Sequence, residues 1–331
     1  MINKVWYINS SGDEPYANQA LEEYLLRNTG DGELILYLWQ NRPTVVLGRN
    51  QNYLRECAAE DFLRSGGLIA RRLSGGGAVY HDAGCLNFSF CVNEADYDPS
   101  RQLAVVLEAL RALGIRARIS GRNDILAGNR KFSGSAYYRL GGHCLHHGTL
   151  MVDVDKEALA RVLTPSAAKL GGKGVASVNS RVVDLVEIEP SVTVEKLRSA
   201  LISSLARIYG VEAAEYPLDE DAGALIDEYR DDFADSDWLF ASSACRDAIL
   251  EKGFSWGEIN IGLALEQDII ADAEVYSDAM DCGFIMELAV SLIGVKYEKE
   301  AMIAAARQAG AFSDTAAEIV DDICNLLKEA V

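Results

Sequence analysis

Short apolar runs of strand length, separated by turns and by helix-patterned segments, occupy the first two thirds of this 331-residue sequence. The spacing predicts strands over residues 4–9, 33–40, 44–48, 68–72, 87–92, 116–120 and 149–154, and helices over residues 15–27, 56–65 and 101–113. Strands that return through short turns, with helices between them, are typical of an α+β fold with a mixed, mostly antiparallel sheet. We therefore expect this fold class.

A change in composition divides the chain into two parts. A predicted helix at residues 194–209 leads into an acidic stretch up to residue 237, which we interpret as a loop-rich linker. Beyond it, the pattern predicts strands at 257–264 and 269–276 and helices at 281–293, 299–309 and 314–330. Because domains typically contain about 100 to 200 residues, we expect two. We place the larger domain at residues 1–240 and a small α+β domain at residues 241–331.

The formal net charge of −19 is distributed unevenly along the chain. Residues 1–189 contain 21 acidic and 21 basic side chains, whereas residues 190–331 contain 29 acidic and 10 basic ones. Such an acidic surface repels phosphate backbones, so we expect no nucleic-acid partner. An anion-binding site is expected in the charge-balanced part.

Three further features indicate the cellular compartment. No apolar run reaches the roughly 20 residues that a membrane-spanning helix needs. The first residues have neither a secretory nor an organelle-targeting pattern. Seven cysteines, with no Cys-x-x-Cys pair, are typical of free thiols. We expect a cytoplasmic protein with no membrane partner.

Three consecutive glycines at residues 75–77 follow the predicted strand at 68–72 and its two arginines, Arg71 and Arg72. Glycine lets the backbone approach a ligand closely, so the N–H groups of this loop can converge on an anion. The pattern is neither Gly-x-Gly-x-x-Gly nor a P-loop, and it therefore predicts no dinucleotide or Walker-type site. A flexible hairpin loop is the alternative interpretation.

Two polar segments follow the helix predicted at 101–113. Asn123 and Asp124 are typical of a turn, and their oxygen atoms also suit Mg²⁺ and a nucleotide. Lys131 lies among the small residues of segment 130–136, where its long cationic side chain can reach a carboxylate or phosphate. A solvated surface lysine in a hairpin is the alternative.

Residues 143–149 contain three histidines and Cys144. A zinc site needs a second Cys/His pair, and the sequence contains none, so we favour no metal here. Cys144 is kept as a candidate activated thiol. Residues 169–183 combine glycines with lysine, serine and arginine side chains and suit a loop that closes over a polyphosphate; a plain surface loop is the alternative.

Taken together and in order, these segments resemble the lipoate-protein ligase A family. The resemblance rests on motifs at residues 71–82, 121–124, 130–136, 146–150 and 173–182. Residues 254–257 and 275–278 are similar to the family's small C-terminal accessory domain. The resemblance covers nearly the whole chain, and it implies a catalytic domain of the biotin/lipoate ligase type.

That resemblance implies an ATP-dependent ligase that works in two steps. Lipoate and Mg²⁺-bound ATP would form lipoyl-AMP and pyrophosphate. The lipoyl group would then pass to a lysine of a lipoyl-domain protein, either a 2-oxoacid dehydrogenase subunit or the glycine-cleavage carrier protein. We expect the enzyme to act as a monomer.

The same resemblance implies a role for individual residues, with Lys131 as the catalytic one. The expected ATP-binding residues are Arg72, Gly77, Ala78, Val79, Tyr80, Asn123, Asp124, Lys131, Lys173, Ser177 and Arg181. The expected lipoate-binding residues are Arg72, Ser74, Gly75, Gly76, Lys131, His147 and Gly148. Asp124 is the expected Mg²⁺ ligand. A carboxylate attacking a phosphate needs a cation between the two anions, and Lys131 has the right charge.

Two other functions are considered. One is an ATP-independent lipoyl or octanoyl transferase that uses a cysteine acyl-enzyme, for which Cys144 is the remaining candidate. The other is a lipoate-binding protein without activity. ATP-dependent release of AMP or pyrophosphate would separate all three functions.

Overall fold

The computed structural model describes residues 1–10, 12–121, 123–164, 182–219, 222–240, 247–313 and 315–329. Within these ranges the strands are β1 (Lys4–Asn9), β2 (Glu33–Trp39), β3 (Thr44–Leu47), β4 (Leu68–Arg71), β5 (Val79–His81), β6 (Cys85–Asn93), β7 (Ala117–Ser120), β8 (Asp124–Ala127), β9 (Arg130–Leu140), β10 (His143–Met151), β11 (Ala213–Glu215), β12 (Ala248–Phe254), β13 (Gly257–Glu266) and β14 (Ile269–Ser277). The α-helices are α1 (Pro15–Arg27), α2 (Tyr53–Glu56), α3 (Ala59–Arg64), α4 (Pro99–Ala112), α5 (Lys156–Val162), α6 (Leu185–Ile188), α7 (Val194–Tyr209), α8 (Ala222–Ala234), α9 (Ser236–Phe240), α10 (Cys282–Leu292), α11 (Lys299–Phe312) and α12 (Ala317–Glu329).

The chain divides into two compact units that are not simple halves of the sequence. The first unit comprises Met1–Val46, Cys57–Ala70 and Val79–Leu239. The second comprises Phe240–Val331 together with two earlier segments, Leu47–Glu56 and Arg71–Ala78. The domain boundary predicted at residues 240 and 241 stays a prediction.

An eight-stranded sheet organises the first unit. Its strand order is β11-β1-β2-β6-β10-β9-β8-β7. β1 runs parallel to both of its neighbours, whereas the pairs from β2 to β7 are antiparallel. The predicted α+β class with a mixed, mostly antiparallel sheet is confirmed. β3, β4 and β5 form a separate three-stranded sheet in the order β4-β3-β5.

Both faces of the large sheet are buried because its central strands are apolar on both sides. Leu36 and Leu38 of β2 belong to the core that includes residues of α4 and α7. Tyr37 and Trp39, which alternate with them, belong to a second core with Leu25 and residues of α1. Successive side chains of a strand point to opposite faces, so one short apolar strand serves both cores. This rigid sheet carries the polar residues of strands β8 to β10.

The second unit contains an antiparallel sheet in the order β12-β13-β14. Ile261 of β13 and Phe284 and Leu288 of α10 are fully buried in its core. The two earlier chain segments attach through backbone hydrogen bonds: Ser277 N donates to Asn50 O at 2.8 Å. A part of the glycine-rich segment is therefore built into this unit.

Helices with clear start and stop signals agree with their predicted bounds. α1 begins where the Glu14 side chain accepts a hydrogen bond from Ala17 N, with Pro15 as its first residue. α7 begins with Thr193 accepting from Lys196 N and ends at Gly210, whose φ of 69° is left-handed. The predictions for residues 15–27 and 194–209 are confirmed to the residue.

The predicted loop-rich linker up to residue 237 is wrong. The helices α8 and α9 lie in this stretch, and α8 packs against α1. Ala222, Ile226, Tyr229 and Phe233 recur at helical spacing, and Ala222 and Phe233 are buried. The many acidic residues mask this pattern because they occupy the solvent-facing side of the same helix.

Strand predictions were least accurate between residues 124 and 154. The strand predicted at 149–154 is instead β10, which spans His143–Met151, and β8 and β9 were not predicted. Elsewhere in the described ranges, β5, β11 and β12 were not predicted. β9 begins with two cations and continues through serines and a glycine, which have low strand propensity. Pairing with β8 and β10 on either side compensates for that composition.

A buried histidine on β10 couples the stability of the first unit to pH. His146 is fully buried among Phe88, Phe90 and Tyr137, with its Nδ1 2.9 Å from Gln102 Oε1. Burial lowers the pKa of this imidazole to about 3. The folded protein therefore keeps it neutral at pH values where an unfolded chain protonates it.

We expect the free energy of unfolding to fall as the pH drops below 6.5, the ordinary histidine value. In that range the unfolded chain binds a proton that the folded chain excludes, and the stability is restored above it. The slope should approach about 1.4 kcal/mol per pH unit. Urea unfolding of wild type and His146→Gln, compared at neutral and mildly acidic pH, measures it. Equal pH slopes in the two proteins would contradict this prediction.

Candidate functional site

Lys131 lies near the start of β9 and forms an ion pair within the sheet. Its Nζ is 2.7 Å from Asp124 Oδ1, and the two side chains are 40% and 34% exposed. A Cβ added to Gly134 would lie 3.0 Å from Lys131 Nζ, so glycine leaves room for the lysine side chain. The lysine is therefore held in position and remains accessible to a ligand.

The predicted turn at Asn123 and Asp124 positions the carboxylate of this pair. Gly121 has a φ of 64°, and Asp124 is the first residue of β8, opposite Ser120 of β7. Ser135 N donates to Asn123 O at 2.7 Å, which ties the turn to β9. The turn and the oxygen-ligand interpretations of these residues are thus compatible.

Metal binding by the protein alone is not supported by the geometry. Within the ranges that the structure describes, no three His, Cys, Asp or Glu side chains group together as a metal site. Asp124 is a single carboxylate that already accepts a bond from Lys131. Mg²⁺ in nucleotide sites is commonly held by one or two carboxylates together with substrate phosphates. The residues present therefore fit an ion that arrives bound to a nucleotide.

His147 of β10 belongs to a buried polar network between the eight-stranded sheet and α1. Its Nδ1 is 2.9 Å from Oε1 of Glu22, a carboxylate on α1 that also accepts the hydroxyl of Ser89. Trp39 Nε1 donates to Ser89 Oγ at 3.0 Å. Glu22 was missed by the sequence analysis, because an acidic residue within an amphipathic helix is normally solvent-facing. The buried carboxylate of Glu22 fixes the position of the His147 imidazole.

Gly148 is required by close packing. A Cβ at this position would lie 2.6 Å from the Phe88 ring and 2.8 Å from Gly134 O. Two further polar atoms nearby were not predicted: Ser133 Oγ and Ser135 Oγ are buried and have no hydrogen-bond partner among the described residues. Both serines alternate along β9 with Gly134, which lies opposite Asp124, so their side chains point to the face of the sheet opposite the Lys131–Asp124 pair.

Arg72 organises the glycine-rich loop in the second unit. Its Nη2 donates to Gly75 O at 2.7 Å and to Gly77 O at 2.9 Å, and its Nε donates to Ser74 Oγ at 3.1 Å. The side chain is 8% exposed. In this structure Arg72 therefore shapes the loop, and its predicted contacts with ATP and lipoate stay predictions.

The glycines of this loop are needed because backbones approach one another closely. A Cβ at Gly48 would lie 2.0 Å from Gly76 O, and one at Gly75 would lie 2.3 Å from Ala279 O. Gly76 N donates to Ala279 O at 3.1 Å. The flexible-hairpin alternative does not describe a loop packed in this way.

The two residues after the loop, Val79 and Tyr80, lie on β5. They pair with Val46 and Val45 of β3. Tyr80 is buried, and burial, followed by the charge of Asp82, raises the pKa of its phenol to about 12. The phenol thus stays neutral at physiological pH and cannot act as a base.

Two groups of predicted residues emerge. The first unit brings Asn123, Asp124 and Lys131 together, with His147 and Gly148 on the strand beside β9. The second unit brings Arg72 together with the loop from Ser74 to Gly77 and with Ala78. The predicted nucleotide contacts Lys173, Ser177 and Arg181, and the whole segment 165–181, lie outside the described residues.

Cys144 lacks the properties of an activated nucleophile. It is fully buried on β10, and burial raises the pKa of its thiol. The thiolate is the reactive form, and a raised pKa reduces it. Every cysteine in the described ranges is a buried free thiol.

Comparison with known proteins identifies the family. The family model of the lipoyl protein ligase A/B catalytic domain matches residues 14–206, and that of the bacterial lipoate protein ligase C-terminus matches residues 247–327. A lipoate-protein ligase A of Blochmanniella pennsylvanica is 36% identical over 307 residues, covering 90% of this chain and 91% of the relative. The chain belongs to the lipoate-protein ligase A family. A Psychrobacter cryohalolentis member is 36% identical over 304 residues, covering 89% and 90%.

Solved structures of lipoate ligases share this fold. P. falciparum LipL1 in complex with lipoate superposes with a TM-score of 0.85 at 28% identity, covering 99% of both chains. A bipartite lipoate protein ligase of Thermoplasma acidophilum, described with its E2 lipoyl domain, gives 0.65 at 26% identity and covers 74% of this chain and 100% of its own. Lipoate-protein ligase A bound with ATP gives 0.63 at 27% identity, covering 72% and 98%.

Family membership confirms that the chain is a ligase enzyme. Among the described helices, none has both the length and the hydropathy needed to cross a bilayer.

Proposed function

We propose that this ligase activates lipoate with ATP, forming lipoyl-AMP and pyrophosphate, and transfers the lipoyl group to a lysine of a lipoyl-domain protein. The acceptors would be 2-oxoacid dehydrogenase subunits and the glycine-cleavage carrier protein. The family relation supports it, as do the relatives solved with lipoate, with ATP and in a system with an E2 lipoyl domain. We propose a cytoplasmic enzyme that acts as a monomer.

The Lys131–Asp124 pair is the observation that carries this proposal. In the first step a lipoate carboxylate attacks the α-phosphorus of ATP, and pyrophosphate leaves. Two anions must approach each other, so a fixed cation lowers their repulsion and stabilises the negative charge of the transition state. Lys131 is accessible, and Asp124 holds its Nζ in one position at 2.7 Å. Pre-positioning avoids reorganisation during the reaction.

Mg²⁺ would supply charge neutralisation at the phosphates, with Asp124 as its protein ligand. The pairing of Asp124 with Lys131 then has a further consequence. Because Asp124 Oδ1 is 2.7 Å from Lys131 Nζ, an ion held by this carboxylate would lie beside the lysine, and two cations would then face the substrate anions. Asn123, next to Asp124 in the turn, would bind the nucleotide.

The loop shaped by Arg72 is the proposed contact for the ATP phosphates and the lipoate chain, through residues 74–80. Gly76 N already donates to Ala279 O, and the N–H group of Gly77 can reach an anion without side-chain obstruction. His147 and Gly148 would line the lipoate site, where Glu22 fixes the imidazole. Lys173, Ser177 and Arg181 are proposed to bind the adenylate. An acyl-adenylate hydrolyses in water, so such contacts also serve to exclude solvent.

The test is a set of omission reactions followed by the mass of an apo lipoyl domain. We expect the mass of one lipoyl group to be added only when lipoate, ATP and Mg²⁺ are all present. Cys144→Ser should give the same result, because its thiol is buried and its pKa is raised. Modification without ATP, together with a thioester trapped on Cys144, would overturn the proposal in favour of a transferase. The matched control is Cys91→Ser, another fully buried thiol on the sheet.

A further inference from the structure

Strand β7 forms one end of the eight-stranded sheet. It pairs with β8 along one side, and no other described strand pairs with its second side. An open strand edge offers backbone N–H and C=O groups to a strand of another protein. Ile119, near the middle of β7, is 41% exposed, which leaves an apolar side chain at this edge.

The sequence around β7 has the opposite charge from the rest of the chain. Residues 109–152 contain seven basic side chains and one acidic side chain, a net charge of +6. Since the whole chain carries −19, the other 287 residues carry −25. Arg116 and Arg118 are exposed, and within the described ranges neither forms an ion pair, although Arg118 Nη2 donates to Asn129 Oδ1 at 3.5 Å. We call residues 116–120 the basic edge.

The register of the sheet places Arg118 of the basic edge on the same face as the proposed catalytic lysine. Arg118 lies opposite Leu126, which in turn lies opposite Lys131. Directly paired residues of neighbouring strands point to the same face. With adjacent strands about 4.8 Å apart, the Arg118 backbone lies roughly 10 Å from that of Lys131.

We propose that the basic edge docks an acidic strand of the acceptor protein, which then continues the sheet beyond β7. This inference rests on the proposed lipoyl transfer to a protein lysine. The added strand would lie roughly 15 Å from Lys131, so a loop at its end can extend over the face that carries Lys131. A carboxylate on the strand would pair with Arg118, and Ile119 would be covered by the partner.

Charge complementarity is the reason for choosing an acidic partner. The −25 carried by the rest of the chain repels an acidic protein, while the basic edge attracts it. Such a distribution orients the partner during encounter and raises the association rate, an effect that salt screens. The basic edge thereby selects both the partner and its orientation.

Arg118→Glu tests this docking surface, with the apo lipoyl domain of a 2-oxoacid dehydrogenase as the probe. We expect the KM for the domain to rise tenfold or more, with little change in kcat at saturating domain. Lipoate-dependent ATP–pyrophosphate exchange should stay at the wild-type level, because that step needs no acceptor. The KM of wild type, but not that of the variant, should rise steeply with ionic strength.

Arg64→Glu is the matched control, since it reverses one exposed charge on α3, a helix outside the eight-stranded sheet. Its KM should stay within twofold of wild type. Equal KM values for Arg118→Glu and Arg64→Glu would overturn the proposal, and self-association of Arg118→Glu would then show that the arginines protect the edge from pairing with another copy.

A calorimetric titration of the apo domain into unreacted enzyme keeps the docking separate from the chemistry. A tenfold weaker dissociation constant for Arg118→Glu supports docking even if no adenylate forms. If the wild type shows no lipoate-dependent ATP–pyrophosphate exchange, that result contradicts the proposed function but not the docking proposal. If Arg118→Glu fails to fold, Arg118→Gln is used in the same titration. We expect its dissociation constant for the apo domain to be weaker by threefold or more. An unchanged dissociation constant would overturn the docking proposal.

Discussion

Replacement of Lys131 by alanine is expected to reduce lipoyl-AMP formation by ~100-fold or more, equivalent to about 3 kcal/mol of lost transition-state stabilisation. The loss should appear in kcat, because the cation is needed most where charge develops between the attacking carboxylate and the phosphate. Folding should change little, since Lys131 and Asp124 are both more than a third exposed and a pair of this kind contributes at most about 1 kcal/mol. Pyrophosphate release with saturating lipoate and ATP is the measurement.

Arg130→Ala is the matched control for this variant. Arg130 is the adjacent cation on β9, is exposed, and pairs with Glu187 at 3.2 Å. Its removal changes the charge of the strand by the same amount without touching the Asp124 pair. Pyrophosphate release by Lys131→Ala within fivefold of wild type would show that the catalytic role belongs to another residue.

The second large effect is expected from Gly48→Ala in the second unit. The new Cβ would lie 2.0 Å from Gly76 O, and the contact atom belongs to the backbone, so no flexible side chain can move away. The loop must shift or the segment at residues 48–51 must separate from it. We expect a loss of about 3 kcal/mol in stability and a parallel fall in adenylate formation. Urea unfolding followed by tryptophan fluorescence measures the first quantity and pyrophosphate release the second.

Gly223→Ala provides the corresponding control. This glycine lies at the start of α8 with open space at its Cβ position, and alanine there should be neutral or stabilising by up to about 1 kcal/mol. If Gly48→Ala unfolds at the same urea concentration as wild type, the close approach to Gly76 does not determine the shape of the loop.

Local signals in the sequence were sufficient to predict the bounds of helices and strands that have strong periodicity and recognisable ends. β1, α1 and α7 agree with their predicted bounds because each combines a regular apolar spacing with a turn or capping residue. The motifs were also sufficient to predict the family, since they appear in the family's order along nearly the whole chain. The roles predicted for individual site residues stay predictions.

The tertiary structure decided features that depend on which distant segments meet. Nothing within the sequence around Glu22 distinguishes it from a surface carboxylate; its burial follows from α1 packing on the sheet that carries Ser89 and His147. Likewise, β9 forms despite its polar start because β8 and β10 pair with both of its edges.

The arrangement of the candidate site also depends on which distant segments meet. The sequence by itself determined that Lys131 and Asp124 are present with suitable chemistry, along with the family and the fold class. Only the sheet register decided that they pair at 2.7 Å, and that Arg118 lies in the same row across three strands. Chain continuity did not indicate that residues 47–56 and 71–78 belong to the second unit. These relations arise from hydrogen bonds and packing between residues far apart in sequence, which local periodicity does not encode.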